Sequence, residues 1–255
     1  MKMTVCIPMY NESVVIADTA RVLSSYMSSN FDDYEILFSD DGSRDHSAEI
    51  VEALDLPNVR VIENPVNQGK GAAVRAAMME ATGDYVLFTD ADLAYGTDVI
   101  KEISDAFLND PQSDVIIGSR NVDKSGYEGY TFVRKLASKI YIKVLCLIGG
   151  FRMSDSQCGC KAFTGKAAKE IFSRCRLNGF SFDFEVLLWA DALGLKVKEH
   201  PVKIINHRES KIHLLRDSFR MVRDILGIRK SVRAEVKKEK NEKKLKKGIA
   251  IRFEL

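Results

Sequence analysis

Residues Gly83–Gly96 read GDYVLFTDADLAYG. An apolar run, Tyr85 to Phe88, stops abruptly before two aspartates one residue apart, Asp90 and Asp92. A short apolar run between polar flanks reads as a buried strand. A core offers nothing to compensate two carboxylates, so both must emerge at the strand's carboxyl end. In an open α/β sheet that end is where ligands bind. Two carboxylates so spaced can share a divalent cation, directly or through water; the competing reading is a solvated loop after a strand.

Working outward, the same grammar repeats. Met3 to Met9 is an apolar strand that runs into Pro8, Tyr10, Asn11 and Glu12, after which Ser13 is placed to cap a helix with apolar positions Val14, Val15, Ala17, Ala20, Val22 and Leu23. Glu35 to Ser39 runs into Asp40-Asp41-Gly42-Ser43-Arg44-Asp45 ahead of a helix from Ser47 to Leu54; turn and cap chemistry accounts for that run as readily as a ligand does. Val59 to Glu63 is followed by Asn67-Gln68-Gly69-Lys70-Gly71 and a helix from Ala72 to Ala81. Glycines before a helix N-terminus let backbone amides approach a phosphate, and Lys70 adds charge, although the spacing is not that of a P-loop. Beyond Asp92 come a helix, Asp98 to Leu108, and a strand, Ser113 to Ser119, ending in Arg120. Strands alternating with helices indicate an α/β fold with a mostly parallel sheet and right-handed crossovers. Every polar cluster then falls on one edge of the sheet, which points to a nucleotide with its phosphates.

The second half is less regular. Asn121 to Thr131 reads as a mobile loop, and Phe132 to Gly149 as a helix that either sits in the core with snorkelling lysines or lies in a lipid interface. Ser154 to Thr164, SDSQCGCKAFT, is either a second loop of the site or a strand with turns. Asn178 to Phe184 leads into a helix through Trp189 to Leu193, stopped by Gly194, and Lys196 to Ile205 reads as a strand that Pro201 marks as an edge. His207 carries no assigned chemistry. Leu214 to Ile228 is an amphipathic helix, and the Lys-rich remainder reads as a frayed tail.

With 255 residues and 45% apolar content the chain supports a sizeable core. Five scattered cysteines form neither a zinc spacing nor a disulfide framework, and Cys158 and Cys160 are too close for a relaxed bridge, so reduced thiols in a cytosolic setting are expected. No signal-peptide pattern or apolar run of transmembrane length is present. The net charge is +2, unevenly spread: from Arg216 onward 14 Lys and Arg face 6 Asp and Glu, +8, leaving −6 for Met1–Leu215. The expected organisation is a catalytic domain over 1–213 and a basic extension over 214–255 suited to an anionic membrane surface, on the cytoplasmic face and without a transmembrane segment. The tail lacks aromatics interleaved for base stacking, so no specific nucleic-acid partner is expected.

Taken in order, these clusters resemble the family 2 glycosyltransferases, and among them the polyprenyl-phosphate (dolichyl-phosphate) glucosyl- and mannosyltransferases. Pro8-Met9-Tyr10-Asn11-Glu12 is similar to the family's opening motif, Ser39 to Asp45 to its second, Asn67 to Gly71 to its third, and Asp90-Ala91-Asp92 to its metal motif. Gly118-Ser119-Arg120, Asp155 to Lys161 and His207-Arg208-Glu209-Ser210-Lys211 suggest the lipid-phosphate branch. The resemblance covers about Met1 to Arg229. It implies a GT-A nucleotide-binding fold, a nucleotide-sugar donor (UDP-glucose favoured over GDP-mannose), and Mg²⁺ or Mn²⁺. Pro8, Tyr10 and Glu12 would border base and ribose, with Asp41 near the base. Lys70 would help to bind donor, Asp90 and Asp92 would hold ribose and metal, and Arg120, Arg134, Arg208 and Lys211 would face phosphates. Two departures stand out: Ala94 occupies a position where many relatives carry Gln or another polar residue, and the membrane-spanning anchors common among relatives have no counterpart.

The chemistry follows. An acceptor phosphate with a second pKa of about 6 is already ionised at neutral pH and needs positive charge, whereas a sugar hydroxyl needs a base; Asp183 and Glu185 are the candidates if a base is required. The expected activity is inverting transfer of a hexose to polyprenyl phosphate. The alternatives are a family 2 enzyme acting on a sugar hydroxyl of a cell-wall or polysaccharide acceptor, and a non-catalytic nucleotide-sugar or nucleic-acid binding module.

Overall fold

The computed structural model describes residues 1–122, 146–148, 150, 153–206, 223–239 and 241–242. Its first half alternates as the apolar pattern requires: β1 (Met3–Met9), α1 (Ile16–Asn30), β2 (Tyr34–Asp40), α2 (Ser47–Glu52), β3 (Val59–Glu63), α3 (Lys70–Glu80), β4 (Tyr85–Phe88), α4 (Asp98–Asn109) and β5 (Val115–Ser119). There follow β6 (Lys161–Thr164), α5 (Gly165–Phe172), α6 (Phe182–Ala192), β7 (Val197–Pro201) and a helix over 223–239, here α7.

Seven strands form one sheet in the order β3-β2-β1-β4-β6-β5-β7. All pairings are parallel except those of β6, which runs antiparallel to both β4 and β5. The expected parallel α/β sheet is therefore present, with one reversed strand between its halves. Side chains along β1 alternate between two cores: Met3, Val5, Ile7 and Met9 join α1, α2 and α4 on one face, while Cys6 joins α3, α5 and α6 on the other. This period of two, with helices on both faces, makes a three-layer sandwich. β7 lies at the sheet's edge, where Pro201 is tolerated.

Two local expectations are corrected. Ser13 caps no helix: α1 begins at Ile16 without a side-chain cap, and the Ser13 N–H donates to Asp45 Oδ2 at 2.9 Å. The tail is not frayed over 229–239, which is helical. Ile225, Ile228 and Val232 of α7 are buried in the same core as α6, Val236 packs against it, and Arg174 pairs with Glu239 at 3.4 Å. Each buried aliphatic side chain contributes about 1.5–3 kcal/mol, so this stripe faces the protein. Of the helix expected over Phe132–Gly149 only 146–148 are described, and they are helical; the rest of it and most of the loop before it lie outside the described residues.

Candidate active site

Because β1, β2 and β4 are parallel, the loops that leave them share one edge of the sheet. The first two are stitched together. The Asn11 N–H donates to Ser43 Oγ at 2.8 Å, the Arg44 N–H to Asn11 Oδ1 at 2.9 Å, and the Glu12 N–H to Ser47 Oγ at 2.9 Å. Ser47 Oγ in turn donates to Asp45 Oδ1 at 2.5 Å. Burial pushes the Asp45 carboxyl up, but the Ser47 hydroxyl and the Ser13 N–H outweigh it and hold its pKa down to about 2. Pro8 lies within β1 opposite Ser39. Tyr10 just beyond it is exposed.

Asp41 is buried, and its carboxylate accepts from the Gln68 N–H at 3.0 Å, the Gly69 N–H at 2.6 Å and Asn64 Nδ2 at 3.1 Å. It thus fixes the turn that opens α3. That helix starts at Lys70, two residues earlier than expected, after Gly69 at φ 110°. The Gly71 N–H donates to the Asn178 carbonyl at 2.7 Å, and a Cβ on Gly71 would lie 2.6 Å from the Leu177 carbonyl oxygen. These glycines let the 177–179 loop approach the helix. Their amides are committed to Asp41 and Asn178, so the expectation that they cradle a phosphate is withdrawn.

What the turn presents is Lys70, whose ammonium forms an ion pair with Asp90 Oδ1. Burial opposes the Lys70 charge, but Asp90, Asp183 and Asp92 outweigh it and raise its pKa above the usual range. The side chains of Lys70 and Asp90 keep 24% and 31% exposure, enough to meet a ligand. Two residues on, Asp92 Oδ1 accepts from the Ala94 N–H at 3.1 Å. The Ala94 carbonyl accepts from the Ile205 N–H at 2.8 Å, and Asn206 Nδ2 donates to the Leu93 carbonyl at 3.0 Å. The chain therefore reaches 206 beside Asp92. Arg134, Arg208 and Lys211 fall outside the described residues.

The 153–160 loop completes this edge. Gly159 lies so close to Asp90 that a Cβ there would collide with the carboxylate, and its N–H donates to the Tyr95 hydroxyl at 3.3 Å. The loop is held from below: Asp155, fully buried, receives Arg120 Nε at 2.6 Å and Nη2 at 3.0 Å, while Glu199 on β7 accepts from the Ser154 N–H at 2.8 Å. Arg120 is thus a bidentate partner of Asp155, an arrangement that orients a guanidinium firmly.

The two candidate bases on α6 separate clearly. Glu185 is fully buried and accepts from the Arg176 and Leu177 N–H groups at 2.7–2.9 Å, so both its oxygens are engaged in securing the loop before α6. Asp183 is also buried and pairs with Lys161 at 2.5 Å. Burial pushes its carboxyl up, against the opposing pull of Lys161 and Lys70. Lys161, Gly159, Asp155 and Asn178 were assigned no role from the sequence. Lys161 finds Asp183 across 22 residues, Asp155 finds Arg120 across 35, Gly159 finds Tyr95 across 64 and Asn178 finds Arg75 across 103, beyond any local pattern.

The donor set at Asp90 and Asp92 is made of hard oxygens. Among the described residues no group of three or more His, Cys, Asp or Glu side chains closes around a metal. An open pair of carboxylates fits an ion such as Mg²⁺, which binds through one or two carboxylates plus substrate phosphates.

A three-layer α/β sandwich with a rim of acidic and basic side chains at the strands' carboxyl ends is the architecture of the GT-A type. Residues 4–172 match Glycosyl transferase family 2, and the chain belongs to that family. It is 30% identical to the dolichyl-phosphate beta-glucosyltransferase of Dictyostelium discoideum over 89% of this chain and 73% of that protein. It is 28% identical to the Saccharomyces cerevisiae protein of the same name, over 89% and 74%. Among solved structures, a glucosyl-3-phosphoglycerate synthase from Mycobacterium tuberculosis in complex with Mn²⁺ and UDP-glucose superposes with a TM-score of 0.67 at 20% identity, covering 89% of this chain and 78% of that one. The GT-A fold expected from the motifs is thus established.

Proposed function

We propose that the chain transfers glucose from UDP-glucose to a polyprenyl phosphate, with inversion at the anomeric carbon and with Mg²⁺ or Mn²⁺. The observation that carries this reading is the meeting of Asp90, Asp92, Lys70 and the 153–160 loop on one edge of the sheet, in a chain related over most of its length to dolichyl-phosphate beta-glucosyltransferases.

Asp92, with Asp90 beside it, would hold the divalent ion, which when bound supplies Lewis-acid stabilisation of the departing diphosphate. Lys70 keeps Asp90 in place and adds positive charge where the donor phosphates arrive. Pro8, Tyr10, Glu12 and Asp41 border the nucleoside, Asp41 by fixing the turn behind it. Arg120, held by Asp155, directs the loop that flanks the acceptor, and Arg134, Arg208 and Lys211 neutralise the acceptor phosphate. An oxygen of that phosphate attacks the anomeric carbon from the face opposite the diphosphate; one C–O bond forms as the other breaks, and no proton has to move. The condition of Asp183 supports this acceptor: the remaining candidate base is buried and already paired with Lys161.

Among the described residues no helix is long and apolar enough to cross a membrane. Exposed basic residues of α7, Arg223, Lys230, Arg233, Lys237 and Lys238, would contact the lipid surface, each worth about 1 kcal/mol near anionic headgroups. The test is incubation with labelled UDP-glucose or GDP-mannose, Mg²⁺ or Mn²⁺, and polyprenyl phosphate. A glucosylated, charged lipid from UDP-glucose is expected. Transfer only to a sugar hydroxyl, with Asp183→Asn as damaging as loss of Asp92, would replace this reading.

A further inference from the structure

Lys161 performs no step of the reaction above, yet it is a fully buried charge. It opens β6 opposite Phe88, the last residue of β4, and its ammonium lies 5.7 Å from the centre of the Phe88 ring. It donates to Asp183 Oδ1 at 2.5 Å and to the Cys158 carbonyl at 2.7 Å. Taking an ammonium out of water costs several kcal/mol even after the surroundings relax. An apolar side chain of the same length would fill this space without that cost, so packing alone does not account for a lysine here.

The charges alternate from the core to the rim. Lys161 pairs with Asp183, and Lys70 with Asp90. The two pairs also sense each other: Lys70 acts on Asp183, and both Asp90 and Asp183 act on Lys70. Two carboxylates therefore compete for the Lys70 ammonium, and Asp90 holds it. The loop that carries Cys158 also places Gly159 against the far side of the Asp90 carboxylate, so Lys161 grips both the competitor of Asp90 and the segment that confines it.

We propose that Lys161 is a positioning residue for the donor site: by neutralising Asp183 it leaves Lys70 on Asp90, and so keeps the Asp90–Asp92 loop set for a diphosphate and its cation. The proposal rests on the nucleotide-sugar reading of this edge.

Lys161→Met leaves the buried Asp183 to draw Lys70 inward. The crystal structure of the variant is expected to show the Lys70 ammonium moved from Asp90 to Asp183. Titration with UDP in the presence of Mn²⁺ is expected to show affinity about tenfold weaker, the scale of coupling between contacting charges. Removing both charges in Lys161→Met/Asp183→Asn abolishes the competition and is expected to return Lys70 to Asp90 and most of the UDP affinity, which loss of a merely structural contact would not do. If Lys161→Met does not fold, Lys161→Gln, which keeps a donor for the Cys158 carbonyl, serves the same comparison. Lys70 remaining on Asp90 in the single variant, or a double variant that recovers neither property, overturns the proposal. If the wild-type chain does not bind UDP with Mn²⁺, the donor reading fails, while the position of Lys70 still decides the role of Lys161.

Discussion

Asp41 and Asp90 occupy matching places, one just beyond β2 and the other just beyond β4, on the same edge of one sheet and each within a two-aspartate run. Their surroundings differ. Asp41 is buried and satisfied by two backbone N–H groups and Asn64, whereas Asp90 shares its charge with a lysine and stays partly open to solvent. The first arrangement spends a carboxylate on the shape of the α3 turn. The second keeps a carboxylate able to change partners when a ligand arrives. A loop that must hold its neighbour still and a loop that must answer a substrate therefore use the same side chain in opposite ways.

The comparison breaks most directly at Asp92. Asp92→Ala is expected to lower glucosyl transfer by about 10³-fold or more, about 4 kcal/mol of transition-state stabilisation, with an unchanged circular dichroism spectrum; a fall in transfer that tracks unfolding would place Asp92 with Asp41. Asp41→Ala should behave in the reverse manner. It orphans the Gln68 and Gly69 N–H groups, at about 1–3 kcal/mol for each buried group left unsatisfied, so thermal denaturation should show a melting temperature lower by at least about 4 °C.

Gly159→Ala sharpens the contrast on the Asp90 side. The added methyl group meets the carboxylate, and overpacking of about 1–3 kcal/mol should appear mainly as a higher donor KM in steady-state kinetics. The smallest effect belongs to Asp45, whose folded pKa of about 2 lies below its ordinary value of 3.8. A depressed carboxylate stabilises the fold above its unfolded pKa and loses that contribution as pH falls through the folded one. Acid titration of stability should therefore show a loss between about pH 4 and pH 2 that is reduced in Asp45→Asn.

The strands of the first half were legible because each is a run of apolar residues ended by a polar cluster, and parallel pairing then puts those clusters on one edge. For β6 a strand with turns stood open beside a loop, and four residues after a small, polar segment carry no sign that the strand runs antiparallel between β4 and β5. In α7 the amphipathic reading stopped at Ile228 and the lysines beyond it read as a solvated tail, so the continuation of the buried stripe to Val232 and Val236 was missed. The site's carboxylates could be named from their loops. Their states could not, since Arg120 finds Asp155 across 35 residues and Lys161 finds Asp183 across 22, and such pairings are set by packing of the whole sheet.

The most direct measurement is electron paramagnetic resonance of Mn²⁺ titrated with wild-type protein and with Asp92→Ala, each with and without UDP. The account expects UDP to deplete the free-Mn²⁺ signal in the wild type and to leave it nearly unchanged in the variant. Equal UDP-dependent depletion in both proteins would contradict the assignment of the cation and the diphosphate to the rim that Asp92 shares with Asp90 and Lys70.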